Sequence, residues 1–461
     1  MKVKFCGAAR QVTGSSHLIT LDNGCKILLD CGLYQGSDDD FNNFNNEWLF
    51  EPSSIDYLIV SHAHIDHTGK IPKLIRDGFN GEILCTHATR SLAALMLMDS
   101  SRIQERDAAY KKRKGYKYFE PLYTSKDVHK TMKLFLGLSY ERWHYVTDGV
   151  RVYFRDAGHI LGSASIALEI EENGKTTRLG FTGDIGRPNR PIIRDPMPMP
   201  KVDYLISEST YGGKEHRTSA IEAEDLLQII EKTCVQNRGK LLIPAFSIGR
   251  TQELVYMLDQ LSTDNLLPKI PVYVDSPLAT NATDIFRMHP ECFDEELVEY
   301  LEFDSNPWGF DKLRFVKSSS LSKRLNSRKE PCIIISSSGM ANAGRIVHHI
   351  FNNIENPKNA ILIVGYCSPR TTGGKLRRGD SHIYVHNKEL KVNASVYTLD
   401  GFSAHADRTE MYETIKHQRK GLKKLFLTHG EYGVQLAFKE YLNTRGFEHI
   451  EIPALGEEFE L

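Results

Sequence analysis

The stretch His62-Ala63-His64-Ile65-Asp66-His67 places three imidazoles and one carboxylate within six residues. It follows an apolar run, Ile55 to Val60, that predicts a β-strand, and Ser61 marks the end of that strand. Alternate side chains of an extended segment share one face, so the first two histidines, His62 and His64, can point toward one metal ion.

The other two polar side chains of this motif, Asp66 and His67, follow the bend, where the chain can turn them toward a second metal ion. Imidazole and carboxylate together suit zinc, and less specifically iron or manganese. The alternative is a cluster of surface histidines that hydrogen-bond without any metal. A single isolated histidine would favour that alternative, whereas the density of this motif favours a metal site.

Length and composition describe a large and nearly neutral protein. The chain has 461 residues and a formal net charge of −1. This length predicts two domains. There is no global basic excess of the kind that marks a purely electrostatic nucleic-acid binder, although a local basic groove stays compatible with the composition. The run Lys111 to Lys114 could track a nucleic-acid strand or, as is more common, form a solvated face.

The cysteines and the absence of long apolar runs bear on the compartment. Eight cysteines are scattered without any CxxC spacing, which predicts free thiols and a cytoplasmic protein. The chain passes from Met1 directly into a strand-like segment, so we expect no signal peptide. It also has no apolar segment long enough to cross a membrane, so we expect no membrane association.

The pattern of strands and helices changes along the chain. The first part has short strand-like runs joined by turns, such as the hairpin signal Asp22-Asn23-Gly24. After Ile206, short strands alternate with helices, which predicts a mainly parallel sheet covered on both faces. The turn Ser336 to Gly339 follows one of these strands, and its backbone N–H groups could cradle a phosphate. From Val396 onward the pattern of the first part, short strand-like runs followed by turns, returns. The middle segment is therefore predicted to be an insertion.

Three further polar residues follow strand-like runs in the same manner as His62. They are Asp30, His159 and Asp184, the last two flanked by glycines that let the backbone turn sharply near a ligand. Taken alone, each has a structural alternative: Asp30 could cap a turn, and His159 could be a buried, hydrogen-bonded histidine. Their order along the chain carries more weight than any one of them.

That order resembles the metallo-β-lactamase superfamily. Asp30 corresponds to its first motif, the stretch from His62 to His67 to the second, His159 to the third and Asp184 to the fourth. The resemblance covers essentially the whole chain, because the inserted segment and the C-terminal motifs also have counterparts within the superfamily.

Three more signatures resemble the β-CASP nucleases of that superfamily. Glu208, in Ser207-Glu208-Ser209-Thr210-Tyr211-Gly212, corresponds to motif A, His405 to motif B and His429 to motif C. The resemblance is closest to the bacterial and archaeal relatives of the endonuclease subunit of the eukaryotic pre-mRNA cleavage factor. In this family RNA-directed members carry histidine at motif C and DNA-directed members tend to carry an apolar residue, so His429 favours RNA.

The resemblance implies an α/β fold of two domains. A four-layer αββα metallo-β-lactamase domain would be interrupted by an inserted α/β β-CASP domain with a parallel sheet. The expected borders place residues 1–208 and 395–461 in the metallo-β-lactamase domain and residues 209–394 in the β-CASP domain.

The resemblance also implies two zinc ions and a zinc-bound hydroxide as the nucleophile, which Asp66 can orient. His62, His64 and His159 would hold one zinc, and Asp184 would bridge the two ions. The second zinc would be held by Asp66, His67 and His429.

Three other residues have implied roles around the zinc ions. His405 would donate a proton to the leaving oxygen, and Glu208 would orient it as a carboxylate–imidazole pair. Asp30 would orient one of the ligand histidines. The structural alternative for Glu208 is a carboxylate that caps a helix.

The implied substrate is single-stranded RNA, clamped by the inserted domain through phosphate contacts. Arg345 could equally be an ordinary helix residue. The residues considered for those contacts are Arg250, Ser337, Ser338 and Arg345.

Other functions stay open at this point. Related enzymes hydrolyse small esters, thioesters or lactams, and some family members are non-catalytic RNA-processing scaffolds. The sequence does not separate endonuclease action from 5′-to-3′ exonuclease action. It does not name the RNA or partner proteins, and it leaves a homodimer open.

Overall fold

The computed structural model describes the chain in six segments, and it divides into two compact units. Unit 1 is formed by Met1–Glu215 and Ala404–Leu461, and unit 2 by His216–Ser403. The boundaries between the units, at residues 215/216 and 403/404, lie a few residues after the expected domain borders. Those domain borders stay a prediction. The described segments are residues 1–36, 44–115, 120–216, 222–365, 367–399 and 404–461.

The N-terminal segment of unit 1 is rich in strands. Its helices are α1 (Ile65–Thr68), α2 (Ile71–Arg76), α3 (His87–Arg113) and α4 (Ser125–Thr131), with a 3₁₀ turn at Pro52–Ser54. Its strands are β1 (Lys2–Gly7), β2 (Ser16–Thr20), β3 (Lys26–Leu29), β4 (Tyr57–Ile59), β5 (Glu82–Thr86), β6 (Phe135–Leu138), β7 (Trp143–Thr147), β8 (Val150–Asp156), β9 (Ala164–Glu172), β10 (Lys175–Phe181) and β11 (Tyr204–Glu208).

Helices and short strands alternate through unit 2. Its strands are β12 (Lys240–Pro244), β13 (Val272–Val274), β14 (Leu313–Phe315), β15 (Cys332–Ser336), β16 (Ala360–Val364), β17 (His382–Val385), β18 (Lys388–Lys391) and β19 (Ser395–Leu399). Its helices are α5 (Glu222–Ile230, continued by a π-helical turn at Glu231–Gln236), α6 (Arg250–Thr263), α7 (Pro277–Arg287), α8 (Glu295–Tyr300), α9 (Ser319–Ser327), α10 (Arg345–Asn353) and α11 (Thr372–Arg378), with a 3₁₀ turn at Pro290–Cys292.

The C-terminal segment completes unit 1. It contains α12 (Arg408–Ile415), a 3₁₀ turn at Lys416–Gln418, β20 (Lys424–Thr428), α13 (Tyr432–Asn443), β21 (Ile450–Glu451) and β22 (Glu458–Glu460). Helix α12 begins with a capping box, in which Asp407 accepts from the backbone N–H groups of Thr409 and Glu410 while Glu410 accepts from the N–H of Asp407.

Two sheets pack face to face in unit 1. Their strand orders are β22-β1-β2-β3-β4-β5-β6 and β21-β20-β11-β10-β9-β8-β7. Phe5 and Ile19 of the first sheet meet Phe154, Ile166 and Phe426 of the second in one buried cluster. The C-terminal segment therefore contributes strands to both sheets, because β22 pairs with β1 and β20 pairs with β11.

Helices cover the outer faces of this sandwich. On the second sheet, Met411 of α12 and Phe438 of α13 pack against Leu205, Leu425 and Leu427. On the first sheet, α3 contacts β5 and β6, and α4 packs on α2 and α3. The predicted four-layer αββα arrangement is confirmed.

Unit 2 contains a parallel sheet of the order β14-β13-β15-β12-β16-β19, and every neighbouring pair in it is parallel. The central strands β12 and β15 are buried along their whole length, as expected for a sheet with helices on both faces. The predicted parallel sheet is confirmed. Separately, β17 and β18 form an antiparallel hairpin.

One strand lies in a different place from the prediction. We expected the strand at Val396 to belong to the first domain, where the pattern of short strands and turns returns. Instead β19 pairs in parallel with β16 and forms an edge of the unit 2 sheet. A short apolar strand before a polar motif occurs in both units, so the local pattern could not assign it. Within the described residues, no helix combines the length and the hydropathy that a membrane crossing requires.

Replacing Phe426 with alanine is expected to destabilise unit 1. Its ring is fully buried between the sheets, with the ring centroids of Phe5 and Phe459 at 5.1 and 5.0 Å. Removing such a ring leaves a cavity and costs about 3–5 kcal/mol, and Phe426→Leu should cost less because it leaves a smaller one.

The measurement is urea unfolding followed by tryptophan fluorescence in a Trp308→Phe background, where Trp48 and Trp143 report on unit 1 alone. Equal unfolding midpoints for the alanine variant and its parent would contradict this placement of Phe426.

Candidate active site

The predicted site residues of unit 1 meet where its strands end. His62 and His64 follow β4, His159 lies in the loop between β8 and β9, Asp184 follows β10 and His429 follows β20 directly. Rigid strands thus hold loops whose side chains converge, a common way to build a functional site.

A first cluster contains three histidines and one carboxylate oxygen. The Nδ1 atom of His64 lies 3.1 Å from the Nε2 atoms of both His62 and His159. The Oδ2 atom of Asp184 lies 3.5 Å from each of those Nε2 atoms. Two nitrogens that share a tetrahedral zinc at 2.0–2.1 Å lie about 3.3 Å apart, so this donor set fits one metal ion.

A second cluster uses the other oxygen of the same carboxylate. The Nε2 atom of His67 lies 3.1 Å from Nε2 of His429 and 3.3 Å from Oδ1 of Asp184. Nε2 of His429 lies 3.5 Å from Oδ2 of Asp66. These are again imidazole and carboxylate donors at metal-sharing distances.

Asp184 is the residue that the two clusters share. It is buried, and its Oδ1 atom has no hydrogen-bond partner in the described part of the chain. A buried carboxylate oxygen without a partner costs free energy unless a cation compensates it. The residues present therefore fit a bound metal on both sides of Asp184.

The pKa values of the histidines agree with a site for cations. Burial lowers the pKa values of His62 and His159, which keeps both rings neutral and their lone pairs available to a metal. Burial would also lower the pKa of His67, but the carboxylates of Asp184 and Asp30 outweigh it and raise that pKa. The same carboxylates favour any positive charge placed between them.

Asp30 contacts the stretch from Ser61 to His67, which follows β4, although it lies about thirty residues earlier in the chain. Its Oδ2 atom lies 2.6 Å from Nδ1 of His67 and accepts a hydrogen bond from the hydroxyl of Ser61 at 2.9 Å, while its Oδ1 atom accepts one from the backbone N–H of Ser61 at 2.8 Å. The Ser61 hydroxyl in turn lies 3.1 Å from Nδ1 of His62. These partners are distant in sequence, so the side chain of Asp30 does more than cap a turn.

The backbone of Asp66 is fixed by close approach to a glycine. A Cβ atom at Gly32 would lie 1.7 Å from the carbonyl oxygen of Asp66. That carbonyl also accepts a hydrogen bond from the N–H of Ser15 at 2.8 Å. Only glycine at position 32 allows the loop carrying Asp66 to pack this closely.

His405 and Glu208 form a pair beside the two clusters. Nδ1 of His405 lies 3.4 Å from Oε1 of Glu208 and 3.9 Å from Oδ2 of Asp184. Glu208 accepts from the backbone N–H groups of Ile185 and Thr210, neither of which starts a helix, so the helix-capping alternative finds no support.

The environment of His405 favours its charged form. Burial would lower the pKa of His405, but the carboxylates of Glu208, Asp184 and Asp66 together outweigh burial and raise this pKa to about 9. The ring stays partly exposed, with 23% of its side-chain surface accessible. It is therefore protonated and reachable from solvent at neutral pH.

Two polar residues of this site were not singled out by the sequence analysis. Ser61 contacts both Asp30 and His62, and the hydroxyl of Thr210 lies 3.0 Å from Nδ1 of His429. Ser61 directly precedes His62, and Thr210 lies two residues after Glu208. This closeness in sequence to predicted site residues was the only signal that could have identified them.

The four residues considered for phosphate contacts lie in unit 2. Arg345 is held by Asp275 at 2.6 Å and by the carbonyl oxygens of Val316 and Lys317. The buried Arg250 pairs with Glu253. The described hydrogen bonds of the other two residues, Ser337 and Ser338, are to Ser276 and to the backbone of residues 341, 343 and 346.

Three family models match successive parts of this chain. The metallo-beta-lactamase superfamily matches residues 9–213, the Beta-Casp domain residues 251–376, and the Zn-dependent metallo-hydrolase RNA specificity domain residues 389–453. The matches follow the order of motifs from which the resemblance was inferred.

Relatives that align along almost the whole of this chain agree with these models. A ribonuclease of Thermus thermophilus is 33% identical over 99% of both chains. The transcription termination factor FttA of Methanosarcina mazei is 32% identical over 98% of this chain and 71% of its own length, and that of Methanocaldococcus jannaschii is 32% identical over 95% and 68%. The chain therefore belongs to the β-CASP family of the metallo-β-lactamase superfamily and is a metal-dependent hydrolase.

Proposed function

We propose that this chain is a zinc-dependent ribonuclease that hydrolyses phosphodiester bonds of single-stranded RNA. The observation that carries the proposal is the position of Asp184, which faces two sets of metal ligands while the His405–Glu208 pair lies beside it. Hydrolysis of a phosphodiester needs both functions at one place: compensation of the phosphoryl charge and a proton for the leaving oxygen.

Two zinc ions fit the two donor sets. Bound zinc would supply positive charge for the phosphoryl oxygens and lower the pKa of a coordinated water. Asp184 would contribute one oxygen to each ion. The remaining ligands would be His62, His64 and His159 on one side and Asp66, His67 and His429 on the other.

The other residues act on protons and orientation. His405, held in its charged form by Glu208, would donate a proton to the oxygen that leaves when the phosphodiester bond breaks. Asp66 would also accept a hydrogen bond from the attacking water and orient it. Asp30 would hold the His67 ring through Nδ1, leaving Nε2 free to bind metal.

The similarity to RNA-directed proteins supports RNA over a small ester or thioester. The match to the RNA specificity domain includes both His405 and His429, and the Thermus thermophilus relative named a ribonuclease aligns along the full length. A non-catalytic scaffold would need neither the complete ligand set nor the His405–Glu208 pair, and the chain has both.

In unit 2, Ser337 and Ser338 are the better supported phosphate contacts. They follow the carboxyl end of β15, and helix α10 nearby has Gly344 at its N-cap, which has no side chain to cap the helix. The N–H of Ile346 donates to the carbonyl of Ser337, and N–H groups at a helix start that lack such a partner favour anions. The existing ion pairs favour the ordinary helix role considered for Arg345 and speak against a phosphate contact by Arg250, because both guanidinium groups already have partners.

Location and mode of action extend the proposal. None of the eight cysteines, all of which lie in the described segments, forms a disulfide, and this fits the reducing cytoplasm, where we place the protein. The borders of the β-CASP domain at residues 209–394 stay a prediction, and the sequence leaves a homodimer and the choice between endonuclease and 5′-to-3′ exonuclease action open.

The zinc-loaded protein should cleave single-stranded RNA, and a chelator should abolish the cleavage. His405→Ala should lower kcat by about 10²–10⁴-fold, the usual contribution of a general acid. Asp66→Ala should lose activity together with bound zinc. The assay uses RNA labelled internally and at either end, so that internal cuts separate from stepwise trimming.

The matched control is His129→Ala, which removes an exposed imidazole of α4 and should cleave as the wild type does. Duplex RNA and a thioester run in parallel. A protein with two bound zinc ions that leaves RNA intact but hydrolyses the thioester would overturn the ribonuclease proposal, and equal cleavage of duplex and single strands would overturn the single-strand preference.

Asp30→Asn should weaken zinc binding by about 10–100-fold, because the ligand His67 loses the carboxylate that orients it and raises its basicity. The measurement is competition with a chromophoric chelator, with folding checked by circular dichroism. Asp148→Asn, in the exposed turn between β7 and β8, is the control. Wild-type affinity in a folded Asp30→Asn protein would contradict the role given to Asp30.

A further inference from the structure

The backbone at His429 adopts a conformation that few residues accept. Its φ angle is +52°, in the left-handed region, which costs free energy for a residue other than glycine. Surrounding hydrogen bonds hold it there. The N–H of His429 donates to Ala8 at 2.8 Å, the N–H of Gly430 donates to Gln11 at 3.2 Å, and the carbonyl of His429 accepts from the Thr210 hydroxyl at 3.1 Å.

The same hydroxyl also reaches the imidazole ring. Oγ1 of Thr210 lies 3.0 Å from Nδ1 of His429, while Nε2 on the other side of the ring faces His67 and Asp66. A neutral histidine that binds metal through Nε2 carries its proton on Nδ1 and needs an acceptor for it. A hydroxyl can accept that proton with a lone pair while donating its own hydrogen to the carbonyl.

We propose that Thr210 is a positioning residue that sets both the ring tautomer and the backbone of His429. Three other ligand rings have comparable partners at their second nitrogen: Asp30 for His67, Ser61 for His62 and the carbonyl of Ala404 for His159. Thr210 is the corresponding partner for His429. This inference rests on the metal-binding role given to His429 in the proposed function.

Thr210→Val keeps the shape of the side chain and removes both hydrogen bonds, whereas Thr210→Ser keeps the hydroxyl. We expect Thr210→Val to bind one of two zinc ions about 10–100-fold more weakly, the usual effect of losing such a partner. Thr210→Ser should stay close to wild type. Zinc affinity is measured by chelator competition, and folding by thermal unfolding of the metal-free proteins.

The outcomes separate this inference from the proposed function. A wild-type protein that binds two zinc ions, together with a folded Thr210→Val protein of equal affinity, would overturn the role of Thr210 alone. Equal losses in the valine and serine variants would overturn it too, because the hydroxyl would then not be the cause. A wild-type protein that binds fewer than two zinc ions would overturn the two-zinc proposal itself.

A second observation concerns two histidines of unit 2, far apart in sequence. His348 lies on α10, and His386 lies at the tip of the β17–β18 hairpin, where its φ angle is +50°. Nδ1 of His348 and Nε2 of His386 are 3.1 Å apart, and the rings stack with centroids at 4.8 Å. Both side chains are exposed to solvent.

This spacing is that of the ligand pairs in the active site, where His67 and His429 also bring two nitrogens to 3.1 Å. Two imidazole nitrogens that share one ion at 2.0–2.1 Å lie about 2.9–3.4 Å apart for angles between 90° and tetrahedral. Burial and the neighbouring His386 lower the pKa of His348, which keeps its lone pair available. The alternative is a simple hydrogen bond in which one ring donates to the other.

The geometry points to a second metal site, in which His348 and His386 chelate one divalent transition ion such as Zn²⁺, Ni²⁺ or Cu²⁺. Water would complete the coordination, since both rings face solvent. The ion would pin the tip of the hairpin to α10. This site is independent of the proposed ribonuclease activity, because none of its residues belongs to unit 1.

Equilibrium dialysis of the zinc-loaded protein against Ni²⁺ tests the site, with both metals quantified. The wild type should take up one Ni²⁺ per chain while its zinc content stays constant. That uptake should be lost in His348→Ala and in His386→Ala. It should persist in His382→Ala, which removes an exposed histidine of β17. Equal Ni²⁺ uptake by all four proteins, or none by the wild type, would overturn the site.

Discussion

A buried negative charge between two groups of imidazoles is the constraint on which unit 1 depends. Asp184 is nearly inaccessible to solvent, and burial alone would favour its neutral form. The surrounding histidines outweigh burial and hold the pKa of this carboxyl well below its usual range. Such an arrangement is stable only where positive charge is supplied, and its two oxygens face separate ligand sets. The residues that surround the two oxygens of Asp184 come from several loops. The negative charge of Asp184 is therefore compensated only when all of these loops are in place.

The topology explains how those loops are placed. The chain leaves unit 1 after β11 and returns at Ala404, and the returning segment carries His405 and His429 together with β20 and β22. Those two strands pair with β11 and β1, so the segment that completes the site also completes both sheets. Assembly of the site thus depends on pairings between residues hundreds of positions apart, which are slow to form but lock the ligands once made.

Features of this chain with a local sequence signal could be predicted, whereas contacts through space could not. The alternation of strands and helices in unit 2 is such a local signal, and the parallel sheet predicted from it is confirmed. The density of histidines from His62 to His67 is local too, and these residues lie together with His159 and Asp184 in the structure, while their role as metal ligands stays a prediction. The placement of β19, the engagement of Arg345 by Asp275 and the hydroxyl of Thr210 on His429 depend on neighbours distant in sequence. The left-handed backbone of His429 has no sequence signal either, because tertiary hydrogen bonds impose it.

The partners of the ligand histidines give the two sides of Asp184 different chemistry. His67 has a carboxylate at its second nitrogen, whereas His62 and His429 have hydroxyls and His159 has the carbonyl of Ala404 at 3.3 Å. A carboxylate raises the basicity of an imidazole more than a neutral acceptor does. The ligand set of Asp66 and His67 has two carboxylates at hand, Asp66 itself and Asp30 behind the ring of His67, whereas the set of three histidines has only the shared Asp184. The three-histidine set lies next to His405, whose ring centroid is 4.6 Å from that of His159, so the residue proposed as the proton donor lies beside the less acidic of the two sets.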